Sequence, residues 1–415
     1  MLNGVELRLA LRTLPFLDAR SDLPEGMLDL RQGPHAKLLV WHPDAIDRIF
    51  RSDRRLLHPG SNSLMPLFGA GSLLWADGER HAAYRRALGP PLRGKRLTVY
   101  EGLISRITHE ALDELSAGSL VALPAWSRRI ALRVVAAIVL GAANDTVLVP
   151  FTRWIDRALG SRRRTLAYRY LRGGLPRSSA ELDRSLIRQA KVHRGGLPPT
   201  LAAVMLSGEG PLGKVDDEEL RDQLVSLLFA GHETTASATA WTLYHLARDR
   251  QLTAAVRAEI EAAGDGGADA GRVPLLQAVI QEALRLAPPV TVAENRTLTE
   301  DTELLGRTLP AGTTLTPSIY LAHRRRDSFA DPRRFDPARF LDTKASPQRY
   351  LPFGGGSRHC LGSGLAQLEI RMITAAVLGR LDWECVNPRA AVPELRGHAM
   401  APSAKLRMRV TGCRA

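Results

Sequence analysis

The most specific chemical arrangement in the chain is Phe353-Gly354-Gly355-Gly356-Ser357-Arg358-His359-Cys360-Leu361-Gly362. Three consecutive glycines let a backbone take positive φ and come close to a flat group. They deliver Cys360 to the start of a helix predicted over about 361–378. Uncapped N–H groups and the helix dipole stabilise a thiolate there. A thiolate so placed can be an axial haem ligand, and neighbouring N–H groups can hydrogen-bond its sulfur and tune the iron. Arg358, two positions earlier, is placed to hold a haem propionate. A plain turn before an inert cysteine would explain Cys360 alone, but not the whole ten-residue pattern.

A second arrangement, Ala230-Gly231-His232-Glu233-Thr234-Thr235, falls inside the longest helical pattern. That helix starts at Asp216, which has capping-box spacing to Glu219, and acids crowd its first turn. Leu220, Leu224, Leu227 and Leu228 carry its apolar stripe, and the pattern runs through Trp241 to about Ala247. Some thirty residues make roughly 45 Å, enough to cross a domain. A carboxylate at Glu233, among Leu227, Leu228, Phe229 and Ala230, needs a partner or a task. Gly231 and two adjacent threonines weaken the helix, which predicts a local opening able to hold water or dioxygen. His232 is read as packed or pointing away. Glu282, Arg285 and Arg339 are read as a structural carboxylate–guanidinium cluster. Cys385 and Cys413 have no metal-ligand spacing. Gly208–Gly213 imitates a dinucleotide loop, but the acids at 216–219 would repel a pyrophosphate, so it is a plain loop.

The elements that position these residues are mostly helical. Helices are predicted over about 43–51, 79–88, 98–116, 122–140, 146–160, 179–193, 252–263 and 274–287. Short strands are predicted at about 37–41, 291–297, 302–305, 313–315 and 406–410, and Gly379 is read as the stop of the last helix. The fold class is mainly α with a small β region, as a single domain over 1–415. No fixed-period repeat or long linker interrupts it.

Composition excludes several alternatives. With 45% hydrophobic and 24% charged residues in 415, neither disorder nor a collagen-like repeat is the main state. The net charge of +14 and a pI near 10.4 make nucleic acid, anionic membrane or an acidic partner worth weighing. A basic helical nucleic-acid-binding protein has charge in its favour, but no recognition-helix or zinc motif supports it. Three cysteines make no disulfide framework, and a reducing cytoplasm suits them. Arg8 and Arg12 interrupt any secretory signal. The most apolar run, 134–143, is about half of the roughly 20 residues a spanning helix needs. The chain therefore reads as soluble, without a membrane anchor.

Taken together, these motifs resemble the cytochrome P450 family. Its signature Phe-Gly-x-Gly-x-Arg-x-Cys-x-Gly is met at every fixed position. The segment 230–235 resembles its oxygen-activation motif, Glu282-Ala283-Leu284-Arg285 its Glu-x-x-Arg, and Phe335–Phe340 the later segment whose arginine completes the cluster. His81 and Arg85 match the His-x-x-x-Arg that grips propionates in bacterial members, and Arg296 stands where a further propionate-binding arginine is found. The resemblance implies a cytochrome P450 fold with a long central helix over haem b, and Cys360 as the axial ligand of its iron. His81, Arg85, Arg296, Phe353 and Arg358 would bind the cofactor.

The implied reaction is monooxygenation: O2 is activated and one oxygen atom enters an apolar small molecule. Thr234 would be the hydroxyl donor and Glu233 the proton relay. Three cysteines cannot hold an iron–sulfur cluster that needs four, and no flavin domain fits. Electrons from NAD(P)H would therefore arrive through a separate ferredoxin or flavodoxin and its reductase. Arg85, Arg86, Arg93, Lys95 and Arg96 would form the docking patch for such an acidic carrier. Peroxide-driven or oxidative coupling chemistry is the alternative within the family, and the intact Glu233–Thr234 pair argues against pure peroxide use. The pocket would draw on 62–68, 73–75, Leu227, Ala230, 289–292 and 398–400, a mostly apolar lining. That suits a terpenoid, polyketide or fatty acyl intermediate of secondary metabolism. Between Pro150 and Arg194, twelve basic residues face three acids, a surplus of nine charges. This stretch would roof the entrance, and it is either a solvated surface or a landing site for an acidic carrier protein or anionic surface. The protein is expected to be a monomer.

Overall fold

The computed structural model describes residues 4–59, 64–171, 174–193, 198–264, 269, 271–341, 345–397 and 399–414. Residues 62, 63 and 398 of the expected pocket, and 172, 173 and 194 of the basic segment, lie outside them. The chain falls into two compact units, one of residues 1–61 and 281–360, the other of 62–280 and 361–415.

The first unit is built on a four-stranded sheet in the order Met27–Arg31, Lys37–Val40, Thr314–Pro317, Arg296–Thr297. Lys37–Val40 pairs parallel to Thr314–Pro317, with Lys37 opposite Thr314 and Val40 opposite Pro317. Arg296 lies opposite Leu315 in antiparallel register. Leu38, Val40, Leu298 and Leu315 bury one face of this sheet against Ala45 and Ile49 of the helix Pro43–Arg51. His42 starts that helix, its Nδ1 accepting from the Asp44 amide at 3.2 Å. A hairpin, Thr302–Leu304 with Arg307–Leu309, completes the strands. The strand expected over 291–297 is only two residues long. Ahead of it the Ala293 amide donates to the Pro317 carbonyl at 2.8 Å, but no regular ladder forms there.

The second unit carries most of the helices. Leu123–Leu140, Asp145–Leu159, Ala180–Val192, Asp217–Arg248 and Ser363–Arg380 surround one continuous apolar core. Asp216 caps the 32-residue helix by accepting from the Glu219 amide at 2.8 Å. Glu219 does not return the bond. Its carboxylate takes Arg80 Nε at 2.9 Å and the Tyr84 hydroxyl at 2.6 Å, which ties the helix Gly78–Leu88 to the long helix. The opening expected at Gly231 is not present: the helix runs unbroken from Asp217 to Arg248. Gly231 serves packing instead, since a Cβ there would lie 2.4 Å from Val135 Cγ2 on Leu123–Leu140. Likewise Gly379 stops nothing, because the last helix continues to Arg380 and passes directly into the strand Leu381–Cys385. A helix over Arg162–Leu171 was not predicted; three leading arginines obscure its periodicity. Among the described residues no single helix is long and apolar enough to cross a membrane.

Candidate active site

In the first unit, the loop 353–360 is folded on itself by a hydrogen bond from the Cys360 amide to the Phe353 carbonyl, 2.9 Å. Gly354 and Gly356 both have φ of +68°, which only glycine adopts without strain. Gly355 is needed for a different reason. A Cβ there would meet the Phe50 ring at 2.3 Å, so this glycine makes room for a protein side chain. Cys360 lies exposed at the end of this loop, and Gly362 offers no side chain to cap the helix Ser363–Arg380 that follows. Phe353 is half-buried, with its ring 6.4 Å from that of His359.

Two of the predicted propionate arginines are beside this loop. Arg296 is buried, with Nε on Asp53 Oδ1 at 2.8 Å and Nη2 on the Gly355 carbonyl at 3.3 Å. Arg358 Nε stands 3.7 Å from Glu294 Oε2. Burial pushes the Glu294 carboxyl up, against the pull of Arg358 and Arg296. Asp53 goes the other way: despite burial, Arg296 and the Ser357 hydrogen bond hold it below the ordinary carboxylate range.

Behind the loop, Glu282 and Arg285 are completely buried and paired twice, Nε to Oε2 at 2.6 Å and Nη2 to Oε1 at 2.7 Å. Glu282 Oε1 also accepts from Arg339 Nε at 3.2 Å and the Asp336 amide at 2.9 Å. Arg285 reaches the carbonyls of His323, Pro332 and Arg334. His323 then accepts the Leu351 amide at 2.9 Å and stacks on Tyr350. The Glu282–Arg285–Arg339 cluster thus braces the chain as it enters the cysteine loop, and His323 is the link that sequence reasoning missed.

In the second unit, Leu227, Ala230, Gly231 and Thr234 recur at i, i+3, i+4 and i+7. All four are accessible in the middle of an otherwise buried helix, and Ala230 is exposed. Thr234 Oγ1 donates to the Ala230 carbonyl at 2.8 Å. Glu233, one position back, is turned off this stripe and buried. Its Oε1 is 3.1 Å from Arg396 Nε, 3.7 Å from Arg128 Nη1 and 3.3 Å from His232 Nε2. Asp156 bridges the two arginines. Against burial, His232, Arg396 and Arg128 hold Glu233 down at about 2. A cavity of about 90 Å³ lies beside it, lined by Arg128, Ser237, Glu394 and Arg396 among others. His232 is packed, with Nδ1 on the Leu228 carbonyl at 2.7 Å and its ring against Phe151 and Phe229.

His81 and Arg85 stand one turn apart on Gly78–Leu88, His81 buried and Arg85 half-buried. Arg85 also lines an open hollow of about 790 Å³ with Arg86, Arg93, Lys95 and Arg96. The neighbouring residues Leu92 and Leu97 pack on the last helix: a Cβ on Gly364 would come within 3.1 Å of the Leu92 carbonyl and of Leu97.

The long helix has one more function, which its apolar pattern hid. Its buried polar residues hold the loop 67–75. Gly71 N–H donates to Asp222 Oδ2 (3.0 Å), Leu73 N–H to Gln223 Oε1 (2.9 Å), and Ser72 shares a 2.7 Å bond with Ser226. Arg221 reaches the carbonyl of Phe68 at 3.1 Å.

Comparison with known proteins gives this geometry its family. The Cytochrome P450 family profile matches residues 179–408. The chain is 32% identical over 391 residues, 90% of its length, to the putative cytochrome P450 135B1 of Mycobacterium tuberculosis, covering 81% of that protein. The chain belongs to the cytochrome P450 family. It is also 30% identical to cyclooctat-9-en-7-ol 5-monooxygenase of Streptomyces melanosporofaciens, over 90% of this chain and 85% of that one. In fold it resembles the retinoic acid-bound cyanobacterial P450 CYP120A1, with a TM-score of 0.83 at 23% identity over 98% and 96% of the two chains. As a P450 it is a monooxygenase that uses haem and dioxygen. The residues fit that cofactor. Cys360 is a thiolate-capable donor at the exposed end of a braced loop, and Arg296 and Arg358 lie next to it.

Proposed function

We propose that this P450 hydroxylates an apolar natural-product intermediate of terpenoid, polyketide or fatty acyl type, in the cytoplasm. The observation that supports this most is the accessible stripe Leu227–Ala230–Gly231–Thr234, apolar until it ends on a single hydroxyl. Leu73, Leu74 and Trp75 of the same unit are half-buried and also apolar. The two relatives point the same way by name, one acting on cyclooctat-9-en-7-ol and the other holding retinoic acid.

When bound through Cys360, haem supplies the chemistry that activates dioxygen. The chain's own residues then do the rest. Arg296 and Arg358 would hold propionates, as would His81 and Arg85, and Phe353 would help bind the cofactor. Thr234, anchored by its own proton to the Ala230 carbonyl, keeps oxygen lone pairs for a water on the accessible stripe. Glu233 is a carboxylate at neutral pH, so it accepts protons rather than storing them. The adjoining cavity is large enough for a few waters, which can carry protons to and from the carboxylate. Electrons come from a separate acidic ferredoxin or flavodoxin, seated on the basic hollow at Arg85, Arg86, Arg93, Lys95 and Arg96. On the roof, Arg163 and Arg164 are exposed and attract an acidic carrier protein that delivers the substrate.

The test is a binding screen on the purified haem protein, read as the Soret shift when substrate displaces water from the iron. Terpenoid, polyketide and acyl libraries, free and carrier-bound, should give saturable shifts for one class. Shifts confined to charged polar compounds would overturn the substrate reading.

A further inference from the structure

We propose that Asp53 is the positioning residue of the Cys360 loop: one buried carboxylate fixes the loop backbone and offsets the charge of Arg296 beside it. The inference rests on the haem-thiolate reading above. Asp53 follows the helix Pro43–Arg51 in the turn Asp53–Arg55, hundreds of positions from the loop it holds, and is 1% exposed. Its Oδ1 accepts from Arg296 Nε at 2.8 Å. Its Oδ2 accepts from both the amide and the hydroxyl of Ser357, at 2.7 and 2.5 Å. The backbone carbonyl of Asp53 faces His58 Nε2 at 3.0 Å.

These contacts close a ring. Arg296, held by Oδ1, reaches the Gly355 carbonyl, while Ser357, held by Oδ2, fixes the backbone two residues on. Gly356, between them, is pressed so close that a Cβ would come within 2.6 Å of the Asp53 carboxylate. The segment 355–357 is therefore clamped from one side, three residues before the sulfur. The Cys360 amide bond to Phe353 leaves the remaining residues little freedom. A carboxylate is required here. Asparagine has one acceptor oxygen, and its NH2 would face either the Ser357 amide or the Arg296 guanidinium, both donors.

The charge matters as much as the shape. Asp53 offsets Arg296, which the haem reading places at a propionate. Without that offset Arg296 stabilises the reduced, more negative iron, and the reduction potential rises. A loosened loop would hold Cys360 less firmly, which the haem-loaded protein would report as loss of the red-shifted Soret band of its reduced carbon-monoxide complex.

The experiment compares haem-loaded wild type, Asp53→Asn, Asp53→Glu and Ser357→Ala. It reads the ferric–ferrous midpoint potential and the rate of that spectral conversion. Asp53→Asn should raise the potential and speed conversion about tenfold or more, as expected for lost charge-assisted hydrogen bonds. Ser357→Ala should speed conversion and leave the potential in place. Asp53→Glu should restore the potential but not the conversion rate. A wild-type potential and rate in Asp53→Asn would overturn the proposal. If that variant does not load haem, Ser357→Ala decides alone: faster conversion supports the clamp, and a wild-type rate overturns it. A wild type lacking the red-shifted band would instead overturn the haem-thiolate reading itself.

Discussion

Replacing Glu282 by alanine tests the brace behind the cysteine loop. The carboxylate and its Arg285 partner are both 0% exposed, so neither is screened by solvent. Glu282 accepts two bonds from Arg285, one from Arg339 and one from the Asp336 amide. Truncation leaves a buried guanidinium without its counter-charge, a change that costs about 3–5 kcal/mol. Arg285 keeps three backbone carbonyls, which places the loss near the lower end, about 3 kcal/mol. At roughly 2.1 cal/mol/K of unfolding entropy per residue, a chain of 415 residues shifts by about 1 °C per kcal/mol, so the melting temperature should fall by about 3–4 °C. The assay is thermal unfolding of the haem-loaded protein, followed by far-ultraviolet circular dichroism and by the Soret band together. The double variant Glu282→Leu/Arg285→Met should lose less than Glu282→Ala alone, because it removes the stranded charge as well as its partner. Melting within about 1 °C of wild type for Glu282→Ala, or a double variant that loses as much as Glu282→Ala, would refute the reasoning (the 1 °C limit being about the effect of 1 kcal/mol).

Three further outcomes are expected. Cys360→Ser should abolish the thiolate signature of the carbon-monoxide complex, since serine is not deprotonated at neutral pH; the reduced difference spectrum checks this. Thr234→Ala should retain haem and substrate but divert electrons to peroxide, measured as product formed per NAD(P)H consumed; an unchanged ratio removes Thr234 from the proton path. Glu233 is held at about 2, below its ordinary 4.5, so its stabilising contribution is complete above pH 4.5 and lost as pH falls through 2. The stability gap between wild type and Glu233→Gln should accordingly be flat from pH 7 to 5 and narrow below it, read from melting temperature against pH.

The helices were legible because their apolar residues recur with the right period, and the long helix is the best case: Asp216 caps it as its spacing predicts. The cysteine loop was legible because its ten residues are contiguous. What escaped was tertiary. Asp53 and Ser357 meet across 304 positions, and nothing local marks an aspartate after a helix as the clamp of a distant loop. Gly231 was misread for a related reason: a glycine in a helix looks like weakness until the neighbour that needs the space, Val135, is known. The Glu233–Thr234 pair reads as one unit in sequence, yet adjacent helical residues sit about 100° apart, which sends the acid to Arg128 and Arg396 and the hydroxyl to the accessible stripe.

The grip of the long helix on the loop 67–75 bears on how this enzyme can change over evolutionary time. Asp222, Gln223 and Ser226 hold the loop by its main chain and by Ser72, while the side chains of Leu73 and Leu74 take no part in those bonds. Path and lining are thus specified by different residues. Apolar substitutions at 73 and 74 that keep their packing against the core would, on the proposed reading of the pocket, reshape what the loop presents to a substrate without redrawing its course. The opposite holds for Gly69, where any side chain would collide with Asp222, at 1.9 Å from a Cβ. Variation should accumulate at the first two positions and be purged at the third.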